Sequence, residues 1–108
     1  MFVPDGTTEH FDWVNELQRQ TTSPACAARY FRVTNDIDIR DLLPRVRVPT
    51  LVLHLRDDAA IPFALGQEVA AGIPGARFVP LRGKNHMPLE HDPDTPRILE
   101  EIGLFLAP

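Results

Sequence analysis

The run Thr50-Leu-Val-Leu-His-Leu55 constrains this chain more than any other stretch. It is nearly all β-branched or apolar and does not alternate. It lies between Pro49 and the polar break Arg56-Asp57-Asp58, with a second proline at Pro62. An apolar strand without alternation reads as buried on both faces, the pattern of a parallel sheet covered by helices. His54, inside the run, reads as a partly buried histidine satisfied by a neighbour. A second strand is expected at Ala76–Leu81, where Pro80 cannot donate to a ladder and so marks a sheet edge. Between the two, Pro62–Ala71 reads as a helix, with Leu65, Val69 and Ile73 at helical spacing and Gly72 and Pro74-Gly75 closing it. Strand, helix and strand of these lengths make one βαβ unit with parallel strands and a right-handed crossover. Its two C-terminal loops, 56–62 and 82–93, then open on one edge of the sheet, where open α/β sheets build sites.

The flanking segments read as helical. Phe11, Val14 and Leu17 recur through Thr8–Arg19 at the spacing of an amphipathic helix. Ser23-Pro24 is a serine cap followed by proline at the first helical position, so a second helix is expected over Ala25–Val33, broken at Asn35-Asp36. Ile37–Leu43 reads as a short helix started by Asp36 or Asp38 and stopped by Pro44. Arg45–Val48 is a linker that Pro49 holds extended. Asp94-Thr95-Pro96 is another cap-then-proline pair, starting a last helix. Ile98, Leu99, Ile102, Phe105 and Leu106 form its apolar stripe, and Arg97, Glu100 and Glu101 face water.

Composition narrows the function. At 108 residues the chain is one domain or part of one. A net charge of −4 argues against nonspecific nucleic-acid binding, which needs a basic footprint. One cysteine, Cys26, excludes an internal disulfide framework. No apolar run approaches the ~20 residues of a membrane span, and Pro4-Asp5-Gly6 breaks any leader at the start. A cytoplasmic protein, with no membrane partner, is expected.

Asp58 and His86 are the candidate site residues, each at the end of one strand of the βαβ unit. A carboxylate on one imidazole nitrogen fixes the tautomer and stabilises the imidazolium formed when the other nitrogen takes a proton. The plainer alternative keeps Asp58 as a cap of the following helix and His86 as an ordinary loop histidine. His86, Glu90, His91 and Asp92 do not make a convincing metal site, because Pro88 and Pro93 interrupt them. Arg82-Gly83-Lys84-Asn85 lacks the leading glycine and the Ser/Thr of a phosphate loop. No cofactor or metal is expected.

Val-Pro-Thr-Leu-Val-Leu-His-Leu-Arg-Asp-Asp-Ala-Ala-Ile-Pro62 resembles the acid-bearing strand and loop of the α/β-hydrolase family, an apolar strand followed by Gly-x-x-Asp-x-x-Val/Ile-Pro. Ile-Pro-Gly-Ala-Arg-Phe-Val-Pro-Leu-Arg-Gly-Lys-Asn-His-Met-Pro-Leu-Glu90 resembles that family's last strand and histidine loop, with Glu90 four after His86. Acid before histidine agrees with the family order Ser, Asp/Glu, His. The resemblance covers residues 46–107. It implies a partial α/β-hydrolase fold: residues 1–45 a helical cap-like segment, residues 46–108 the C-terminal part of the sheet domain. The wording is similar to hydrolase modules of bacterial regulatory proteins, often fused to cyclase or DNA-binding domains. By this resemblance Asp58 is the triad acid and His86 the general base. Asp57 fits less well, because Asp58 alone stands three before Ile61 and four before Pro62.

Two departures bear on what the resemblance implies. Leu55 stands where the family has glycine, which tolerates backbone angles that leucine resists; the aim of the acid loop is thereby opened to question. The family also needs Gly-x-Ser-x-Gly at a strained turn and an oxyanion donor from an earlier loop. Ser23 is the sole serine and has no flanking glycines, and Cys26 lies inside the expected helix. The expectation is therefore the C-terminal portion of a serine hydrolase, supplying acid and base for a small-molecule carbonyl ester or amide and inactive without the missing half. The alternative is a noncatalytic interaction or sensor module that keeps the hydrolase shape. In either case the unpaired strand edge is expected to be covered in a homo-oligomer such as a dimer.

Overall fold

A computed structural model describes residues 2–108. The chain divides into two compact units, Gly6–Ile39 and a second formed by residues 2–5 with Arg40–Pro108.

The first unit holds α1 (Thr8–Thr21) and α2 (Pro24–Asn35). Thr7 caps α1 reciprocally with His10: its hydroxyl accepts from the His10 amide, and its amide donates to His10 Nδ1 at 3.0 Å. Ser23 caps α2 as its sequence predicts, accepting from the Cys26 amide, with Pro24 at the first helical position. Neither helix buries a residue, and Trp13, Leu17, Tyr30 and Phe31 are exposed. The Ile37 amide donates to the Thr34 carbonyl, closing α2.

The expected Ile37–Leu43 helix is instead a 3₁₀ helix, Arg40–Arg45, which contains Pro44 rather than ending at it. Proline's fixed φ lies within the 3₁₀ range, so the ring is tolerated there.

The second unit is a mixed α/β arrangement around a small parallel sheet. β1 (Leu51–Leu55) pairs with β2 (Arg77–Leu81) from Leu51↔Arg77 to Leu55↔Leu81. Period-two alternation turns Leu51, Leu53 and Leu55 to the same face as Val79 and Leu81. Leu55, Val79 and Leu81 form the buried core there, with Ile98 of α4 (Thr95–Leu106) packed on it. His54 and Phe78 turn the other way, toward α3 (Phe63–Gly72), and the Phe63 ring lies 5.7 Å from His54 and 5.5 Å from Phe78. The sheet thus carries one helix on each face. With only two strands and two helices the cover is partial: Leu51–His54 are half-buried and Leu55 alone is fully buried. His54 is satisfied locally, its Nδ1 2.9 Å from the Leu55 carbonyl oxygen.

α3 meets the sheet through a residue that the spacing of large apolar side chains does not single out. Leu65 is exposed, whereas Gly66 is buried against the His54 ring. Gly72 likewise faces Leu43 at a distance a Cβ would violate, so it serves packing rather than a left-handed cap; the positive φ lies at Gly75.

α4 also departs from expectation. The Asp94 carboxylate makes no capping bond to the helix. Glu101, expected in water, is mostly buried and paired with Arg77. Leu99 and Leu106 of the stripe are 68% and 72% exposed, and only Ile98 and Phe105 are half-buried. Among the described residues, no helix is long and apolar enough to cross a membrane.

A Cβ at position 66 would lie 2.3 Å from His54 Cδ2. Gly66→Ala is therefore expected to lower stability by about 1–3 kcal/mol, the usual cost of overpacking, despite alanine's helix preference of up to about 1 kcal/mol. Chemical denaturation checks this. The same change added to His54→Ala, which removes the ring and leaves only the position-54 Cβ at 3.0 Å, is expected to cost less.

Candidate active site

The two strands do not simply stop; their ladder continues into the loops. The Arg56 amide donates to the Leu81 carbonyl at 2.9 Å, the Asp57 amide to the Gly83 carbonyl at 3.3 Å, and the Ala59 amide to the Lys84 carbonyl at 3.1 Å. Loop 56–59, which contains Asp58, is thereby held alongside loop 81–84, which leads into His86.

His86 Nδ1 lies 2.7 Å from Asp58 Oδ2. With a carboxylate as acceptor, Nδ1 carries the proton and Nε2 is left as the nitrogen for proton exchange. The other carboxylate oxygen, Oδ1, accepts from the Ala60 amide at 2.8 Å and the Ile61 amide at 2.9 Å. The Asp58 side chain is 3% exposed and that of His86 38%, so the acid is enclosed and the histidine meets solvent. Burial pushes the Asp58 carboxyl up, but the bonds from His86, Ile61 and Ala60 outweigh it, and the net shift is downward. Asp58 is a charged, fixed acceptor at neutral pH. It does not cap α3, because both amides it binds precede that helix.

Leu55 does not misdirect the acid. It sits in ordinary strand conformation, and no residue other than glycine has positive φ among those described. The permissive backbone lies across the sheet at Gly83, with φ +129°, where a Cβ would come 3.0 Å from the Leu55 side chain. Leucine in β1 and glycine after β2 are fitted to each other, and the acid loop still reaches His86.

The other candidates make no hydrogen bond to this pair among the described residues. Asp57 and Glu90 are exposed. Ser23 and Cys26 sit at the start of α2, Cys26 exposed. A groove of about 950 Å³ between α1 and α2 is lined by Gln18, Arg19, Cys26, Tyr30 and Phe31 among others, and by neither Asp58 nor His86. No group of three or more potential metal ligands is gathered among the described residues. Asp92 is instead bonded to Asn85, whose Nδ2 donates to Oδ1 at 2.8 Å and to Oδ2 at 3.0 Å, and to the Leu89 amide at 2.8 Å.

Sequence reasoning missed Asn85 and the role of Asp94. Asn85 is 0% exposed, one residue before His86. Asp94 accepts from the Arg82 amide at 2.7 Å, from Nε at 2.9 Å and from Nη2 at 2.6 Å, fixing the start of the histidine loop. These bonds hold the Asp94 carboxyl below the usual carboxylate range. The polar run 82–94 carries the signal, but spacing alone does not say which acid takes which donor.

The lowered Asp58 pKa sets a pH dependence. The folded-state value lies below the ordinary value of about 3.9, so its stabilising contribution is fully present above roughly pH 4 and is lost as pH falls through the folded value. Wild type is expected to exceed Asp58→Asn in urea stability near neutral pH, with the gap closing below pH 4. A gap that persisted unchanged into strong acid would contradict the assignment.

No protein-family model matches the chain. The chain is 39% identical over 51 residues to an AB hydrolase superfamily protein, YisY, of Bacillus subtilis (strain 168). The match covers 47% of this chain and 19% of that relative, so it spans about a fifth of the relative's length. Over part of its length, this chain is related to the α/β-hydrolases.

Proposed function

We infer that this chain is the C-terminal portion of a serine α/β-hydrolase and supplies two of its three catalytic groups, Asp58 as the acid and His86 as the general base. The observation that carries this reading is the 2.7 Å bond between Asp58 and His86 Nδ1, with the acid enclosed and the histidine facing solvent. The partial relationship to an AB hydrolase superfamily protein supports it. Polypeptide outside these residues contributes the nucleophilic serine and the oxyanion donors. The substrate is a small carbonyl ester or amide.

In this reading His86 Nε2 takes the serine proton as the hydroxyl attacks the carbonyl carbon, then returns it to the leaving group. Asp58 holds Nδ1–H and stabilises the imidazolium between the two transfers.

The 108-residue chain alone is expected to show no turnover of p-nitrophenyl esters above the uncatalysed rate, since acid and base without nucleophile or oxyanion hole do little. In a chain completed by a Gly-x-Ser-x-Gly half, His86→Ala and Asp58→Asn are each expected to lower kcat by roughly 10⁴-fold. Turnover by the isolated chain that His86→Ala abolishes would overturn the division of labour.

The exposed apolar surface favours a second reading. β1 has no strand on its outer side among the described residues, and Leu99, Leu104 and Leu106 of α4 are open to solvent. A noncatalytic module that pairs with a second copy of itself would cover such an edge. On this reading the chain sediments as a dimer or larger at micromolar concentration, and a strictly monomeric species counts against it.

A further inference from the structure

His86 is gripped from the far end of the chain. The Phe2 carbonyl accepts from the Met87 amide at 3.2 Å, immediately after His86. The Asp5 amide donates to Asn85 Oδ1 at 2.9 Å, immediately before it. Asn85 is fully buried, and its other side-chain atom, Nδ2, is committed to Asp92. Asp5 also pairs with Lys84 at 2.8 Å, and Val3, between the two tie points, is 3% exposed. The Phe2 ring lies against the imidazole itself, with centroids 5.6 Å apart and planes at 49°. That is within the range of favourable aromatic contact.

Each contact restricts a different freedom. The bonds on either side of His86 fix its backbone. The Phe2 ring limits rotation of the imidazole, because a swing off Asp58 has to displace it. The anchored Val3 keeps Phe2 in place, and the Asn85–Asp92 pair gives the loop a buried polar support with every donor and acceptor used.

We propose that Phe2–Asp5 is a positioning strap for His86, which holds Nδ1–H on Asp58 and so keeps Nε2 as the proton-exchanging nitrogen. Phe2 and Asn85 are positioning residues. They act through His86 and touch no reacting atom. The proposal rests on the reading of Asp58 and His86 as the acid–base pair, but its test does not depend on turnover.

The experiment is ¹⁵N NMR of the imidazole nitrogens in the full 108-residue chain, with His86 assigned by its loss in His86→Gln. Wild type is expected to show the Nδ1–H tautomer, with an Nδ1 proton that exchanges slowly. Phe2→Ala, at a partly exposed position near the terminus, is expected to keep the circular dichroism of wild type. Its Nδ1 proton should nevertheless exchange at least roughly tenfold faster, with the nitrogen shifts moving toward a tautomer mixture. Phe2→Tyr, which keeps the ring, should restore both. Asn85→Ala should loosen the same proton, and Asp58→Asn should lose its protection. An unchanged tautomer and exchange rate in Phe2→Ala, or an Nε2–H tautomer in wild type, overturns the strap. Failure of the hydrolase reading shows separately: a completed chain would keep its esterase activity in His86→Ala while the NMR result stood.

Discussion

The parallel pairing of β1 with β2, carried past the strands, is the constraint from which the rest of this structure follows. A parallel ladder fixes both strands in direction as well as register. Here three further bonds, from the amides of Arg56, Asp57 and Ala59, extend the ladder into the two C-terminal loops. The acid and the histidine are therefore placed by backbone hydrogen bonds, before any side-chain interaction is considered. Their own bond then draws on an alignment already made. This is why an enclosed carboxylate can be tolerated at Asp58: its desolvation is offset by three donors, two of them amides of its own turn.

The histidine loop is built on carboxylates with assigned donors. Asp94 takes the backbone and guanidinium of Arg82, and Asp92 takes Asn85 and the Leu89 amide. A loop of this length has no helix or sheet to satisfy its backbone, so buried acids do that work. No buried side-chain nitrogen or oxygen is left without a hydrogen-bond partner among the described residues. The acidic balance of the chain thus has a partly internal use, since three of its carboxylates organise one loop and its catalytic candidate.

Much of this was legible in the sequence, for physical reasons that can be named. The unbroken apolar run of β1, the cap-then-proline pair at Ser23-Pro24 and the turn residues around α3 are local signals, and local structure follows them. The meeting of Asp58 with His86 was legible because a βαβ unit leaves two loops on one edge, and only one acid stood in register with Ile61 and Pro62. What was not legible depends on partners distant in sequence. Asn85 looks like any loop asparagine until Asp5 and Asp92 reach it. Asp94 looks like a cap until Arg82 takes its carboxylate. Gly66 was passed over because apolar spacing counts side chains, and its contribution is the absence of one. Leu55 appeared to conflict with the acid loop because the compensating glycine, Gly83, belongs to the other strand.

Pro80 gives the sheet a direction of growth. The Arg77 amide donates across to Thr50, so by alternation the missing N–H of Pro80 falls on the outer side of β2. Arg97 adds to this by reaching the Pro80 carbonyl at 3.4 Å. That margin is blunted, while the outer margin of β1 lacks a strand partner among the described residues and has only its Leu55 carbonyl engaged, by His54 and the Asp58 amide. A strand added to this sheet would therefore pair beside β1 rather than beside β2. Two copies meeting there about a two-fold axis would use up both open margins and present only blunted ones. Such an assembly would close at a pair, without the open-ended stacking that a sheet with two free edges invites.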